Sequence, residues 1–489
     1  MASDIDTKKA YEILSRINSL VIEGNPVTNS FFYKEYNLWH TFQQSLYEDC
    51  KHFTTGQYEP RKKKVTVLLK NFLLGLLVFL ETLVAILVSR LQGKRVLVYG
   101  LDKVNSKFHS DSRTTAVYEA LELARTPYVE YLRTILGKET IKNFLSRGRL
   151  VIFTEASSFL IDLVSLIKPF TPKKKVNYQI FENEKERKFA EDVVLRYSLR
   201  ARNFSLRVAV IKRFLKFSRV RCSLMIDDVR FWGEFILAAK DVGIKTVAVQ
   251  HGHYTKYHVG WLTTNQFEGK LIVPETLFVW SDYWKKELTR LGGCVSTDNV
   301  RVGGFKSGPV APEALNQGSQ DFTNDRITVL IPYETACLKE EVKKYIDSML
   351  QDPRISVIFK SRIDMDRGLQ LSEYGLNKQY HKNFEIADKL EDVVGRVDVV
   401  AGTYSTFLYD VLIYKKPVVI LKTGSDYGEG MLKNGLADEV SIELGDLYTQ
   451  LSKVRNISKG VKEERMKKYF GDGRVGMSKT LAGVLEKEK

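Results

Sequence analysis

Short apolar runs alternate with helical stretches along most of the chain beyond residue 95. The runs are four to six residues long, as buried strands are, and apolar residues spaced three or four apart follow most of them. This alternation predicts an α/β fold with parallel sheets. A first series of predicted strands lies at residues 96–100, 150–153, 221–226, 246–249 and 276–280, with helices at 114–123, 231–240 and 284–291. A second series has strands at residues 327–331, 355–359, 397–401 and 417–421, with helices at 340–350 and 407–414.

A stretch rich in turn-forming residues, 309–325, separates the two series and is predicted to be a linker. We therefore predict two Rossmann-like domains, at residues 95–308 and 326–444, that face each other across a cleft. Residues 1–94 are predicted to form a mostly helical extension, and residues 445–489 a helical tail. Open α/β sheets bind ligands beyond the carboxyl ends of their strands, so the chemistry is expected there.

Segment 61–94 differs from the rest in composition. It opens with four basic residues at positions 61–64 and then becomes strongly apolar, with Glu81 as its only acid. A spanning helix needs about 20 apolar residues, whereas the apolar run at 73–88 is shorter and holds the acid near its middle. We predict a helix that lies in the interface of an anionic membrane. A spanning helix and a buried core helix are the alternatives.

The net charge limits the expected classes of partner, and the cysteine pattern limits the expected disulfides and metal sites. The 75 Lys and Arg against 59 Asp and Glu give a net charge of +16, which favours nucleic acid, an anionic membrane or a phosphorylated substrate. Nucleic acid is not expected, since no helix-turn-helix, zinc-finger or ribonucleoprotein pattern is found. The four cysteines form no C-x-x-C pair, so neither a disulfide framework nor structural zinc is expected. The N-terminus lacks a signal-peptide pattern, and we expect a cytoplasmic protein peripheral to the inner face of the cell membrane.

Histidines follow one predicted strand directly, in the tetrapeptide at residues 250–253. His251 then stands at a strand's carboxyl end beside Gly252, which would let a ligand approach the backbone. We predict that His251 is a catalytic base or a phosphate contact, that Gly252 lies at the donor phosphates and that His253 lies on the acceptor side. Hydrogen-bonded loop histidines without chemistry are the alternative. No ligand set of metal spacing accompanies them, and no metal site is predicted.

Acids follow two other predicted strands. Asp227 and Asp228 come after the strand at 221–226, where an acid could deprotonate an acceptor hydroxyl; Asp228 is assigned as catalytic. Capping of the next helix explains one of the two equally well. Glu155, after the strand at 150–153, is assigned to the acceptor side.

A predicted donor-phosphate site follows the strand at 397–401, where a turn leads into a helix. Helix starts offer free N–H groups to anions, although an ordinary serine cap would look the same. Two cations after the strand at 355–359 could neutralise phosphate, or could pair with nearby surface aspartates. A carboxylate one turn into the helix could bind ribose hydroxyls or face the helix dipole. These donor-side candidates are Gly402, Thr403, Ser405, Thr406, Lys360, Arg362 and Asp410.

The chain resembles the bacterial surface-carbohydrate and capsule glycosyltransferases, a group related to the CDP-glycerol glycerophosphotransferases. The stretches KTVAVQHGHYTKY and VDVVAGTYSTFLYDVLIYKKPVVIL carry the resemblance, and TLFVWSDYWKKELTRLGG, NVRVGGFKSG and ISVIFKSR extend it more loosely over residues 96–421. It implies a GT-B fold whose C-terminal domain holds the nucleotide-linked donor and whose N-terminal domain holds the acceptor. It also implies that His251 acts on the acceptor or leaving phosphate, and that Ser405, Thr406 and Asp410 belong to the donor site.

One departure concerns the donor phosphate. Many relatives carry Lys-Pro-His-Pro where this chain has Lys360-Ser361-Arg362, so the histidine expected there is missing and Arg362 is the candidate replacement. The resulting expectation is a metal-independent, membrane-associated glycosyltransferase of cell-envelope polysaccharide biosynthesis. It would need no cofactor and would use a nucleotide-activated sugar or polyol phosphate and a polysaccharide or lipid-linked acceptor. A nucleotide-sugar 2-epimerase and a non-catalytic membrane scaffold are the alternatives.

Overall fold

A computed structural model describes residues 4–56, 58, 65–101, 112–133, 151–154, 156, 176–227, 233–262, 267–305, 326–334, 337–362, 366–376, 382–390, 392–403, 405–424, 428–471 and 476–487. The chain divides into two compact units. The first unit comprises Ala10–Gly308 and Val475–Lys489, and the second comprises Pro309–Arg474 with Met1–Lys9. The predicted linker at 309–325 lies outside the described residues.

In chain order, the described α-helices are α1 Asp4–Asn18, α2 Leu38–Thr54, α3 Val65–Leu91, α4 Thr115–Leu123, α5 Glu184–Arg202, α6 Phe204–Ser218, α7 Gly233–Asp241, α8 Asp282–Arg290, α9 Lys339–Gln351, α10 Arg367–Glu373, α11 Thr406–Asp410, α12 Glu429–Lys433, α13 Leu447–Arg455, α14 Lys459–Phe470 and α15 Met477–Lys487. The strands are β1 Val21–Ile22, β2 Asn25–Pro26, β3 Phe32–Tyr33, β4 Tyr36–Asn37, β5 Val96–Leu101, β6 Tyr128–Arg133, β7 Val151–Phe153, β8 Val176–Asn177, β9 Cys222–Ile226, β10 Lys245–Val249, β11 Thr276–Val279, β12 Val300–Val302, β13 Ile327–Pro332, β14 Ile355–Lys360, β15 Phe384–Ala387, β16 Val399–Gly402, β17 Val418–Leu421 and β18 Asp438–Val440.

A seven-stranded sheet forms the centre of the first unit, in the order β12-β11-β10-β9-β5-β6-β7. All its neighbouring strands pair in parallel. The five residues of β9 and four of the five in β10 are buried, as expected of central strands covered on both faces. The chain fills one side of this sheet with β5, β6 and β7 and then crosses to β9, so the strand order reverses between β5 and β9.

A six-stranded parallel sheet forms the second unit, in the order β15-β14-β13-β16-β17-β18. Its apolar core joins strand residues such as Val329 and Val399 to Ile346 of α9 and Leu451 of α13. Here the strand order reverses between β13 and β16. The prediction of an α/β fold with two Rossmann-like parallel sheets is confirmed.

The last helix, α15, packs in the first unit against α4. The Met477 N–H donates to the Phe305 carbonyl at 2.9 Å, and the Thr480 hydroxyl donates to the Gly303 carbonyl at 2.7 Å. The last helix therefore packs in the first unit, beside the end of β12.

Helix α3 packs along β7, the edge strand of the first sheet, and against α6. Within the described residues, no helix combines the length and the apolarity needed to cross a bilayer. The four basic residues predicted to flank this helix, 61–64, lie outside the description.

Candidate active site

The candidate catalytic residues of the first unit follow two neighbouring strands. β9 and β10 pair in parallel with Ile226 opposite Val249, so the next residues on each strand leave the sheet at the same edge. The Asp227 N–H donates to the Val249 carbonyl at 2.9 Å, which extends the ladder to the start of both loops. This register brings Asp227 to His251, close to the reversal of strand order where open α/β sheets bind ligands.

Asp227 holds the imidazole of His251. The carboxylate Oδ1 accepts the backbone N–H of His251 at 2.9 Å and also contacts ring Nδ1. The Asp227 side chain is 3% exposed, whereas that of His251 is 25% exposed. An Nδ1–H directed at a buried carboxylate fixes the ring and leaves the lone pair on Nε2, the arrangement of a general base.

Two aromatic side chains hold Asp227 in turn. The Tyr254 hydroxyl donates to Oδ2 at 2.7 Å, and the indole N–H of Trp261 donates to the Asp227 carbonyl at 2.8 Å. Burial raises the pKa of Tyr254 well above its ordinary value, and the neighbouring Asp227 charge raises it further, so this hydroxyl stays a neutral donor. Both carboxylate oxygens are thus engaged, and the acid is held in one orientation.

The acid that contacts His251 is therefore Asp227. Asp228, which the sequence assigned as catalytic, lies outside the described residues, as does Glu155. Sequence reasoning identified both Asp227 and Asp228 at this strand end, and the catalytic role assigned to Asp228 stays a prediction.

Gln250 shapes the histidine loop and was missed by the sequence analysis. Its side chain is buried, donates to the Gly252 carbonyl at 2.7 Å and accepts the Trp280 N–H at 2.9 Å. A Cβ added to Gly252 would meet nothing within 4 Å. The fold itself does not require glycine there, so the predicted role of Gly252 toward a ligand stays a prediction.

His253 and His258 lie edge to face beyond His251, with ring centroids 6.4 Å apart. Burial, together with the neighbouring His258 and His251, lowers the pKa of His253 to about 3. His253 is consequently uncharged near neutral pH. It cannot serve as a cation for phosphate, and its predicted place on the acceptor side stays a prediction.

In the second unit, the predicted donor residues also lie at the carboxyl ends of neighbouring strands, because β14, β13 and β16 are adjacent and parallel. Glu334 lies two residues beyond the end of β13 and reaches across the reversal point of the strand order. Its Oε2 accepts the Thr403 N–H at 2.9 Å and the Thr403 hydroxyl at 2.6 Å, and its Oε1 accepts the Ser405 N–H at 2.8 Å. The turn after β16 therefore does bind an anion, but that anion is the chain's own carboxylate.

Glu334 was missed because nothing in the linear sequence couples it to a turn about 70 residues later. It is 2% exposed. A Cβ on Gly402 would lie 2.9 Å from its Oε1, so the glycine admits the carboxylate. Ser405 Oγ accepts the Phe407 N–H at 3.2 Å and caps α11, as the alternative interpretation expected. Of Thr406, which begins α11, only the backbone is described, and Asp410 ends that helix.

The two predicted cations follow β14. The Lys360 ammonium donates to the Ser361 carbonyl at 2.6 Å. The Arg362 side chain is exposed, while its backbone N–H and carbonyl are both bound by the side chain of Gln370, at 2.7 and 2.8 Å. Asp366 caps α10 by accepting the Leu369 N–H at 2.8 Å.

A polar cluster that sequence reasoning did not find lies beside these residues. The Tyr333 hydroxyl donates to Glu373 at 2.5 Å, and Lys339 contacts the same carboxylate. The Cys337 thiol lies 2.9 Å from the Tyr374 hydroxyl, and burial raises its pKa to about 12. A neutral buried thiol is a structural group here and not a nucleophile.

Metal ligands do not converge in the part of the chain that is described, where no group of three or more His, Cys, Asp or Glu side chains could hold an ion. Metal-independent chemistry stays a prediction.

Comparison with known proteins yields fold neighbours only. No family model and no curated protein matches the chain. A glycosyltransferase from Rickettsia africae ESF-5 is 11% identical with a TM-score of 0.42, over 80% of this chain and 97% of its own. MurG of Acinetobacter baumannii is 9% identical with a TM-score of 0.45, over 81% and 99%. The UDP-GlcNAc 2-epimerase of Methanocaldococcus jannaschii is 14% identical with a TM-score of 0.43, over 80% and 99%. These overall similarities are low, and the α/β assignment of this chain rests on its own two parallel sheets.

Proposed function

We propose that the protein is a GT-B-type glycosyltransferase that uses a nucleotide-activated donor. The single observation that carries the proposal is the contact of the buried Asp227 with Nδ1 of His251 at a sheet's carboxyl edge. Transfer to a hydroxyl group needs a base that takes up the hydroxyl proton as the new bond forms. A histidine whose ring is oriented by a buried acid can supply such a base.

In the proposed step, the acceptor oxygen attacks the anomeric carbon of the donor, its proton passes to Nε2 of His251, and Asp227 stabilises the imidazolium that forms. The bond between the anomeric carbon and the phosphate oxygen breaks, and the nucleoside diphosphate leaves with the electron pair. In polyol-phosphate transfer the oxygen would instead attack phosphorus, and a nucleoside monophosphate would leave.

Negative charge that develops on the leaving phosphate needs fixed positive groups. We propose that Arg362 and Lys360 supply them, and that Ser405 and Thr406 contact the phosphates from the turn that Glu334 holds. The exposed guanidinium of Arg362 and the position of the turn at the reversal of strand order support this assignment.

We propose further that the acceptor is a growing surface polysaccharide or a lipid-linked precursor, and that the enzyme works at the inner membrane face. The basic, apolar character of residues 61–94 supports this part of the proposal.

Thermal unfolding against CMP, CDP, UDP, GDP, dTDP and ADP tests donor binding. A ligand at 100 times its Kd stabilises the folded state by about 2.7 kcal/mol, so one nucleotide should raise the Tm and so identify the donor base. A chain whose Tm none of them moves would contradict nucleotide-dependent transfer.

His251→Ala should then abolish transfer while the Tm shift with that nucleotide persists. His52→Ala changes an exposed histidine of α2 and is the matched control. Transfer by the His251 variant at near wild-type rate would remove the proposed base. Release of an epimerised sugar nucleotide without acceptor would identify a 2-epimerase instead.

A further inference from the structure

One face of helix α3 is fixed to the first sheet. Val78 belongs to a buried apolar cluster with Leu132, Val151 and Phe153. The Thr82 hydroxyl oxygen accepts the Phe153 N–H at 3.0 Å, and Glu81 Oε1 accepts the Val151 N–H at 3.2 Å. Because β7 is an edge strand, its outward N–H groups need partners, and α3 supplies them. The only acid of this segment therefore serves the sheet edge.

Over residues 75–91, where the side chains of α3 are described, the opposite face carries leucine and valine and is exposed. Seven residues, 41% to 78% exposed, recur at the spacing of one helical face and form what we call the apolar stripe: Leu76, Leu77, Leu80, Leu83, Val84, Leu87 and Leu91. At about 1.5 Å per residue the stripe is about 22 Å long. On the neighbouring α6, Phe217 is 52% exposed, and the Arg90 guanidinium lies 5.0 Å from its ring centre. Exposed apolar surface of this extent marks an interaction site.

Basic residues accompany the stripe in the sequence and on the neighbouring α6. Residues 61–95 contain eight Lys or Arg residues, of which 61–64 lie outside the described residues, and the single acid Glu81, whose carboxylate contacts β7. Helix α6 carries four basic residues and no acid, and its Arg213 and Lys216 are exposed. An apolar stripe with a basic border complements a bilayer surface with anionic headgroups, where each basic residue near the surface adds about 1 kcal/mol.

We infer that the apolar stripe and Phe217 dock the first unit onto an anionic membrane, with α3 lying in the membrane plane. The leucines enter the boundary between headgroups and acyl chains, while Arg90, Arg213 and Lys216 meet lipid phosphates. The in-plane orientation follows from the contacts of Thr82 and Glu81, since the face tied to β7 cannot also meet lipid. This inference rests on the proposed function in one respect: docking would bring the transferase to a membrane-bound acceptor.

Cosedimentation of the full chain with vesicles tests the docking. Binding to phosphatidylcholine vesicles with about 25 mol% phosphatidylglycerol should weaken as salt rises, and pure phosphatidylcholine should bind less. The variant Leu80→Asp with Leu87→Asp should lower the partition coefficient at least about tenfold, since two apolar side chains are removed from the interface and two anionic ones added. The control is Leu369→Asp with Leu444→Asp, which changes leucines 51% and 73% exposed in the second unit. Equal binding by the stripe variant and the wild type would overturn the inference, as would a wild type that stays in the supernatant.

Orientation has a separate test. Cysteines introduced at Leu77 and Leu91, in a Cys294→Ser background, carry a fluorophore whose depth is read with lipid-attached quenchers. Equal shallow depths support an in-plane helix, whereas depths that differ by about 20 Å, the length of the intervening helix, would show that it crosses the bilayer. Conversion of a dimer to a monomer by the stripe variant, with vesicle binding unchanged, would show that the stripe binds a second copy and would also overturn the inference.

The nucleotide Tm shift, measured without vesicles, separates this inference from the proposed function. A stripe variant that loses vesicle binding and keeps the shift supports docking by the stripe. Failure of vesicle binding in a wild type that shows the shift overturns the docking alone.

Discussion

Asp227, at the end of β9, makes the contacts that orient His251. The carboxylate contacts Nδ1 of His251, accepts the hydroxyl of Tyr254 and is nearly excluded from water. Its neighbour in sequence carries the same functional group. Residue type alone therefore predicts an acid at this strand end, and the register of β9 on β10 places Asp227 against the histidine.

Asp227→Asn should lower kcat by about 100-fold or more, with donor KM little changed, because the amide cannot stabilise an imidazolium. The measurement is steady-state transfer with the donor that the nucleotide shift identifies. Tyr254→Phe removes the other partner of the carboxylate and leaves His251 in contact with it, so we expect a loss of no more than about tenfold. A kcat for the asparagine variant within threefold of wild type would contradict the positioning role.

Glu334→Gln should destabilise the second unit by about 2 kcal/mol, because the amide group turns one acceptor of the N–H groups of Thr403 and Ser405 into a donor. Hydrogen exchange of peptides covering the turn after β16 should rise in this variant. Glu439→Gln, at an exposed position of β18, is the control and should leave exchange unchanged. Equal exchange in both variants would mean that the turn holds its shape without Glu334.

At the scale of elements, the sequence pattern identified most central strands and the edge strand β7, but it missed the interior strand β6 and three strands at sheet edges. β12, β15 and β18 all lie at the edge of a sheet and include exposed or charged residues, as in Asp438-Glu439-Val440. An edge strand is covered less completely, so its sequence does not have the continuous apolar run of a central strand. Helix α3 is the opposite case: its sequence is apolar on two faces, although only one of those faces is covered.

Thr82→Val should destabilise the first unit by about 1–2 kcal/mol, because the buried Phe153 N–H loses its acceptor at the sheet edge. The measurements are urea unfolding and the hydrogen exchange of peptides from β7. Thr289→Val changes an exposed helical threonine of the same unit and carries the same helix-propensity cost. If both variants lose equal stability, the bond between helix and edge strand contributes nothing.

At the scale of the whole molecule, each unit has its own core and sheet, and the chain returns at its end to the first unit through α15. Buried titratable groups then link stability to pH. His40 of α2 is 2% exposed and packs edge to face on Phe267, with ring centroids 5.2 Å apart. Burial lowers its pKa from the ordinary 6.5 to about 4.

The free energy of unfolding should therefore fall as the pH drops from 6.5 toward 4, because the unfolded chain binds a proton at His40 that the folded chain excludes. Well above pH 6.5 neither state binds this proton, and the group contributes no slope. The slope from one such histidine is at most about 1.4 kcal/mol per pH unit, and His253 adds to it in the same direction. His40→Met should flatten the profile measured by urea unfolding, whereas His52→Met, at an exposed position of the same helix, should not. Parallel profiles for wild type and His40→Met would assign the acid sensitivity to other groups.

The α/β class, the two series of strands and the positions of most candidate residues after strands could all be predicted from the amino-acid sequence. Those features depend on local periodicity, which a buried strand or helix imposes on its own residues. Three contacts depend on the tertiary structure: His251 with Asp227, the N–H of Ser405 with Glu334, and α3 with the edge strand β7. Each of these joins residues that are far apart in the chain and adjacent only through strand order and register. Periodicity along one strand carries no information about its neighbour, and for that reason these contacts are found only in the folded molecule.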